Sequence, residues 1–89
     1  MDVHQQNSYG ARMTIPPKYD PINPNVDPLV WRASMLLGGA MATELEAAGL
    51  TGIESGVHYD AWFMSSFHTI VNQHNIPGFH TESASARMV

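Results

Sequence analysis

The feature that most restricts the fold of this chain is a run of prolines near its N-terminus. Five prolines occur within the thirteen residues from Pro16 to Pro28, and Asp and Asn residues lie among them. Because proline lacks a backbone N–H and forces the preceding residue into an extended conformation, this stretch should form turns and polyproline-like backbone. We therefore predict that residues 1–27 form an extended arm.

Apolar side chains recur along this arm, namely Tyr9, Ile15, Tyr19, Ile22 and Val26. A solvated linker has no need of such residues, because nothing covers them in solution. They favour an arm that wraps the surface of a partner chain. The alternative is a disordered tail, which the proline content alone would also fit.

A helix should begin directly after the arm. Asp27 can cap its first turn, and Pro28 suits the first helical position because the N–H that proline lacks would have no partner there. Gly49 predicts the C-terminal end, which places the helix at about residues 28–48. Its expected core-facing stripe, at spacings of four, three, four and three, consists of Trp31, Met35, Gly38, Ala42 and Leu45.

Two glycines stand in the middle of this helix. Gly38 and Gly39 each cost about 1 kcal/mol relative to alanine. A small residue in the stripe can offset that cost by letting another backbone segment approach closely. The alternative is that the two glycines interrupt the helix.

A second helix is predicted from Val57 to about residue 75, where Pro77 and Gly78 end it. At about 100° per residue, one arc holds the core stripe, which consists of Tyr59, Phe63, Phe67, Ile70, Val71 and His74. His58 and Trp62 lie one turn apart on a different face. That face suits a second contact surface, because tryptophan favours borders between apolar and polar groups. Alternatively, Trp62 flanks the core and covers the first helix.

These elements together predict an all-α fold. The extended arm of residues 1–27 is followed by a helical domain of two or so packed helices over residues 28–79. Residues 80–89 have the small, polar composition of a flexible tail. An 89-residue chain buries little surface, and without cysteine it has neither disulfides nor thiolate zinc sites, so a partner chain is the remaining stabiliser.

Charge and hydropathy patterning exclude several function classes. Four Lys and Arg residues are scattered among eight Asp and Glu, so the net charge is −4 and no basic stripe follows a nucleic acid. The apolar run PLVWRASMLLGGAMA is too short to span a membrane. The polar start MDVHQQNS lacks the apolar region of a secretory signal. We expect a cytoplasmic subunit that binds neither nucleic acid nor membrane. We also expect no metal in this chain, because His58, His68 and His74 point to different sides of one helix.

Three segments, in this order, resemble the β subunits of nitrile hydratases. MDVHQQNSYG is similar to their opening, DPLVWRASMLLGGAMA to their first helix, and GVHYDAWFMSSFHTIVNQHNI to their Tyr-Tyr-x-x-Trp helix. The resemblance covers nearly the whole chain, but a full β subunit continues into a β-barrel half that is missing here. It implies the N-terminal half of a split β subunit, an arrangement found in thiocyanate hydrolases of the same superfamily.

The resemblance implies a lyase that converts a nitrile to the amide and is active only as a hetero-oligomer. It implies that cobalt or iron, as Co(III) or Fe(III), is held by a cysteine cluster in a separate α subunit, and that the barrel half is another chain. This chain would bind no cofactor. His58 and Tyr59 take the places of the two tyrosines of the family motif and Trp62 that of its tryptophan. These three would line the substrate pocket or hydrogen-bond to the groups around the metal.

Two departures from the family pattern leave more than one function open. His58 replaces a tyrosine, and no arginine lies between Arg32 and Arg87 to hold the oxidised cysteines of the metal site. The missing arginine favours a maturation or activator protein for the metal-binding α subunit, whereas the MDVH start favours an enzyme subunit. A thiocyanate hydrolase-type subunit and an unrelated two-helix assembly module would also fit this sequence.

Overall fold

The computed structural model describes residues 1–17, 23–57 and 67–85. Its elements in chain order are β1 (Asp2–Gln6), β2 (Met13–Thr14), α1 (Pro28–Ala47), β3 (Ile53–Glu54), α2 (Phe67–Asn72) and β4 (His80–Ala84). The strands form one sheet in the order β1-β4-β2-β3. The sheet is mixed, because β1 and β4 are parallel, β2 and β3 are parallel, and β2 and β4 are antiparallel.

The prediction of an all-α fold is therefore wrong, and the chain has an α/β fold. The longest strands, with the sequences DVHQQ and HTESA, are mostly polar. They lack the alternation of apolar and polar residues that indicates a half-buried strand, so no pattern within either segment predicts a strand. β1 and β4 come from opposite ends of the chain and pair with each other, and this pairing makes both segments strands. The division at residues 27 and 79 stays a prediction, although β4 begins within the segment assigned to a flexible tail.

The first helix agrees with its local signals. The Asp27 side chain accepts a hydrogen bond of 2.9 Å from the backbone N–H of Leu29, and Pro28 occupies the first turn. At the other end Gly49 has a φ of +83°, a left-handed conformation that glycine adopts without steric cost. The predicted bounds and caps of this helix are confirmed.

The close approach at Gly38 is also confirmed. A Cβ built on Gly38 would lie 2.7 Å from the Pro16 carbonyl carbon and nearer still to its oxygen. The helix runs through both glycines without interruption. Its buried residues are Val30, Ser34 and Gly38. The buried face is therefore rotated away from the predicted stripe, and Met35, which belongs to that stripe, is 43 % exposed. The contact between Gly38 and the arm sets this orientation.

The described residues have a small apolar core. Its buried hydrophobic side chains are Ile15, Val26 and Val30. Pro16, which follows Ile15 in the sequence, is also fully buried. Ile15, Pro16 and Val26 belong to the arm, so part of the arm is buried by its own chain. Among the described residues, no helix combines the length and apolarity needed to cross a membrane.

The second helix buries a polar face instead of the predicted apolar one. Phe67 is 63 % exposed and Ile70 lies at the surface, whereas His68, Thr69 and Asn72 are buried. The core stripe predicted for this helix is therefore wrong at Phe67 and Ile70, and His74, the last residue of that stripe, is exposed as well. Asn72 Oδ1 accepts a 2.6 Å hydrogen bond from the N–H of Gly78, so the chain returns against the polar side of the helix on its way to β4.

Candidate functional site

The residues that the sequence predicted for a substrate pocket are His58, Tyr59 and Trp62. All three lie outside the described residues, so their role stays a prediction. Val57, which immediately precedes them, lines an open cleft that is described below.

A group of titratable side chains gathers on one face of the sheet. In the β1–β4 ladder, Asp2 is paired with His80 and His4 with Glu82. Paired residues share a face and side chains alternate along a strand, so these four side chains lie on the same side. His68 of α2 packs against them. We call these five residues, Asp2, His4, His68, His80 and Glu82, the histidine–carboxylate cluster.

Each carboxylate of the cluster faces two imidazoles. Asp2 Oδ2 lies 2.9 Å from His4 Nε2 and 3.8 Å from His68 Nδ1. Glu82 Oε1 lies 3.6 Å from His80 Nε2 and 3.9 Å from His4 Nδ1. The His80 ring completes the group, with its centroid 4.7 Å from that of His68 and 5.5 Å from that of His4. The contacts link the five side chains in a ring.

Burial differs across the cluster. His80 is 1 % exposed and His68 is also buried, whereas His4 and Asp2 reach solvent. The hydrogen bond that Asp2 accepts from His4 raises the pKa of His4 above its ordinary value, and the same bond lowers the pKa of Asp2. An imidazole that titrates above its usual range, next to buried imidazoles, suits proton transfer near neutral pH.

Replacement of Asp2 by asparagine should lower the pKa of His4 toward the ordinary value of about 6.5. The reason is that the Asp2 hydrogen bond is the largest cause of its elevation. Glu82→Gln is the matched control and should lower the pKa of His4 by less, because Glu82 acts on it only through space. NMR titration of the imidazole resonances measures both shifts. An equal or larger effect of Glu82→Gln would contradict this geometry.

The same pair implies a pH window for stability. The contribution of His4, whose folded-state pKa is raised, is fully present below about pH 6.5 and is lost as pH rises through the folded-state value. The contribution of Asp2, whose pKa is lowered, is present above about pH 4 and is lost as pH falls through its folded-state value. The pair, both members of which belong to β1, therefore stabilises the folded chain most between these limits.

A cleft of about 410 Å³ adjoins the cluster. His80 and Glu82 belong to both, and the remaining lining residues are Gln5, Gln6, Tyr9, Gly10, Ala11, Thr14, Glu54 and Val57. Thr14 pairs with Glu82 on one side and with Glu54 on the other, so a polar row crosses the sheet along the cleft. A His–Glu pair in the wall of a cleft of ligand size can accept and donate protons to a bound molecule.

Within the described part of the chain, no three His, Asp or Glu side chains are arranged to hold a metal ion. The cobalt or iron that the family resemblance places in a partner chain stays a prediction.

Sequence reasoning missed this cluster. It compared histidines only along one predicted helix, whereas His4 and His80 meet through strand pairing. The available signal was the spacing of two in Asp2-x-His4 and in His80-x-Glu82, which places each pair on one face of a strand.

Comparisons of the chain with protein-family models, curated proteins and solved structures find no match.

Proposed function

We propose that this chain is a small, metal-free subunit of a multi-subunit enzyme of the nitrile hydratase type, which converts a nitrile to the amide. The family resemblance of the three quoted segments supports the reaction class. The α/β fold differs from the all-α fold that the sequence pattern predicted, so the support comes from those segments and from the chemistry of the site. The observation that carries the proposal is the His80–Glu82 pair in the cleft wall.

That pair matches what hydration of a nitrile requires. Addition of water forms a C–O bond at the nitrile carbon, while two protons pass from the water to the nitrogen. Groups that exchange protons near neutral pH assist such transfers, typically by about 100-fold to 10,000-fold. Glu82 Oε1 lies 3.6 Å from His80 Nε2, and His4 Nδ1 lies 3.9 Å from the same carboxylate oxygen, where it can serve as a further proton acceptor.

An exposed apolar patch supports the role of a subunit. Phe67, Ile70 and Ile76 are large hydrophobic side chains at the surface of α2 and the turn that follows it. Phe67 comes shortly after the segment that contains His58 and Trp62 in the sequence. The proposal is that the metal-binding α subunit covers this patch and brings its metal toward that segment.

The test is to produce the chain together with a chain that carries a Cys-x-x-Cys-Ser-Cys cluster and a chain with the barrel half. We expect a stable complex that forms amide from nitrile. His80→Gln should lower kcat/KM by about 100-fold, the lower range for loss of a general acid or base. His74→Gln is the matched control, because His74 is exposed and lies outside the cluster, and it should leave kcat/KM unchanged.

Gel filtration and circular dichroism of the His80→Gln complex establish that it assembles and folds. Full activity of an assembled His80→Gln complex would refute the acid–base role. Hydrolysis of thiocyanate but not of nitriles would identify the thiocyanate hydrolase type. Activity that persists in a mature enzyme from which this chain has been removed would identify a maturation protein.

A further inference from the structure

A second apolar surface lies on α1, on the side away from the core. Leu29 and Leu36 are 74 % and 76 % exposed. With them an uncharged strip runs the length of the helix, which we call the α1 ridge, and its residues are Leu29, Ala33, Leu36, Ala40, Thr43 and Ala47. At about 100° per residue, these side chains fall within an arc of roughly 80°. The buried residues Val30, Ser34 and Gly38 lie outside that arc.

The spacing within the α1 ridge identifies the shape of what packs on it. Successive residues of the ridge are four, three, four, three and four positions apart. This is the seam of a two-stranded coiled coil, in which another helix packs along the whole length. A helix of 20 residues extends over about 30 Å. The small side chains of Ala33 and Ala40 let the second helix approach closely.

We propose that the occupant of the α1 ridge is the α1 ridge of a second copy of this chain, in antiparallel orientation. When the two-fold axis passes the ridges at the level of Gly38, Leu29 of one copy faces Ala47 of the other, and Leu36 faces Ala40. Each leucine therefore packs against an alanine. A parallel pair would instead set leucine against leucine and alanine against alanine, which leaves gaps at the alanine layers.

The flanks of the ridge agree with the antiparallel arrangement. In the heptad pattern Arg32 and Glu46 lie on the same flank of the ridge. The antiparallel pairing places Arg32 of one copy beside Glu46 of the other, and the two-fold symmetry repeats this contact, so that two such pairs form. Both residues are exposed in the single chain. On the opposite flank Leu37, which is 44 % exposed, meets its own counterpart at the two-fold axis. The two Arg32–Glu46 pairs thus make the charges on the first flank complementary.

This self-association goes beyond the proposed function and is independent of it. The α1 ridge contains no residue of the histidine–carboxylate cluster or of the cleft. An enzyme of which this chain is a subunit would therefore contain two copies that are related by a two-fold axis. Loss of the dimer and loss of the enzymatic activity are separate observations.

The test is the mass of the full chain in solution, measured by sedimentation equilibrium from micromolar to millimolar concentration. We expect a dimer, with twice the 9.8 kDa mass of one chain. Leu36→Glu should raise the dissociation constant by about 30-fold or more, the effect of losing a central interface residue. Leu50→Glu is the control, because Leu50 is exposed but lies beyond the ridge, and it should leave the dimer intact.

Disulfide cross-linking reports the orientation cleanly, because the chain has no cysteine of its own. Leu37→Cys should form a covalent dimer on oxidation, whereas Leu29→Cys should not, since the two copies of residue 29 lie at opposite ends. Arg32→Glu should weaken the dimer, and addition of Glu46→Arg should restore it. A monomer at every concentration would overturn the proposal. A dimer that survives Leu36→Glu, or one that cross-links through Leu29→Cys, would overturn it too.

Discussion

Replacement of Gly38 by alanine is expected to lower the free energy of unfolding by about 3 kcal/mol, the upper range for overpacking a core site. The added Cβ would overlap the carbonyl group of Pro16, which is backbone and cannot rotate away. The arm must therefore separate from α1 to admit a single methyl group, and this would expose Val30 and Ile15, two of the buried core residues. Urea unfolding followed by circular dichroism measures the loss.

Gly39→Ala is the matched control, because the two glycines are neighbours in the same helix. A Cβ at Gly39 meets no atom within 4 Å. This substitution should raise the free energy of unfolding, by up to about 1 kcal/mol, since alanine is the better helix former. Both variants are compared at one protein concentration, so that association through the α1 ridge affects them equally. Equal effects of the two substitutions would show that α1 does not touch the arm at Gly38.

Asn72→Ala is the second substitution with a large expected effect, a loss of about 2–3 kcal/mol in the free energy of unfolding. Asn72 is fully buried, and its Oδ1 accepts the hydrogen bond from the Gly78 N–H. Alanine removes the acceptor oxygen, leaves the Gly78 N–H buried without that acceptor, and opens a cavity. The turn that carries the chain from α2 to His80 is held by this bond, so the histidine–carboxylate cluster should loosen as well.

Asn7 supplies the control for this substitution. Its Oδ1 accepts a 2.9 Å hydrogen bond from the N–H of Tyr9, the same type of side-chain-to-backbone bond, but at the surface. Water replaces the lost acceptor there, so Asn7→Ala should cost no more than about 0.5 kcal/mol. Chemical denaturation of both variants gives the comparison. If Asn72→Ala were as mild as Asn7→Ala, the polar side of α2 would not be packed against the chain that leads to β4.

The candidate site was only partly accessible to sequence reasoning. The motif residues His58, Tyr59 and Trp62 could be proposed from a resemblance, because a family motif is a local pattern. For the histidine–carboxylate cluster only the two-residue spacings were visible, because its members come from β1, α2 and β4, and no segment of the sequence contains all of them. The polar face of α2 was misassigned for a related reason. Apolar periodicity predicts that Phe67 is buried, but the buried face is chosen by what packs on it, here Gly78 and the strand that follows.

What the sequence determined by itself is the helix α1. Its start at Asp27 and Pro28 and its end at Gly49 follow from residues whose effect acts within a few positions along the chain. The tertiary structure alone decided the sheet and everything that depends on it. Strands such as DVHQQ and HTESA have little preference of their own, and they become strands because each satisfies the backbone hydrogen bonds of the other. The stabilisation that comes from strand pairing depends on two segments at opposite ends of the chain, so it cannot be predicted from either segment alone.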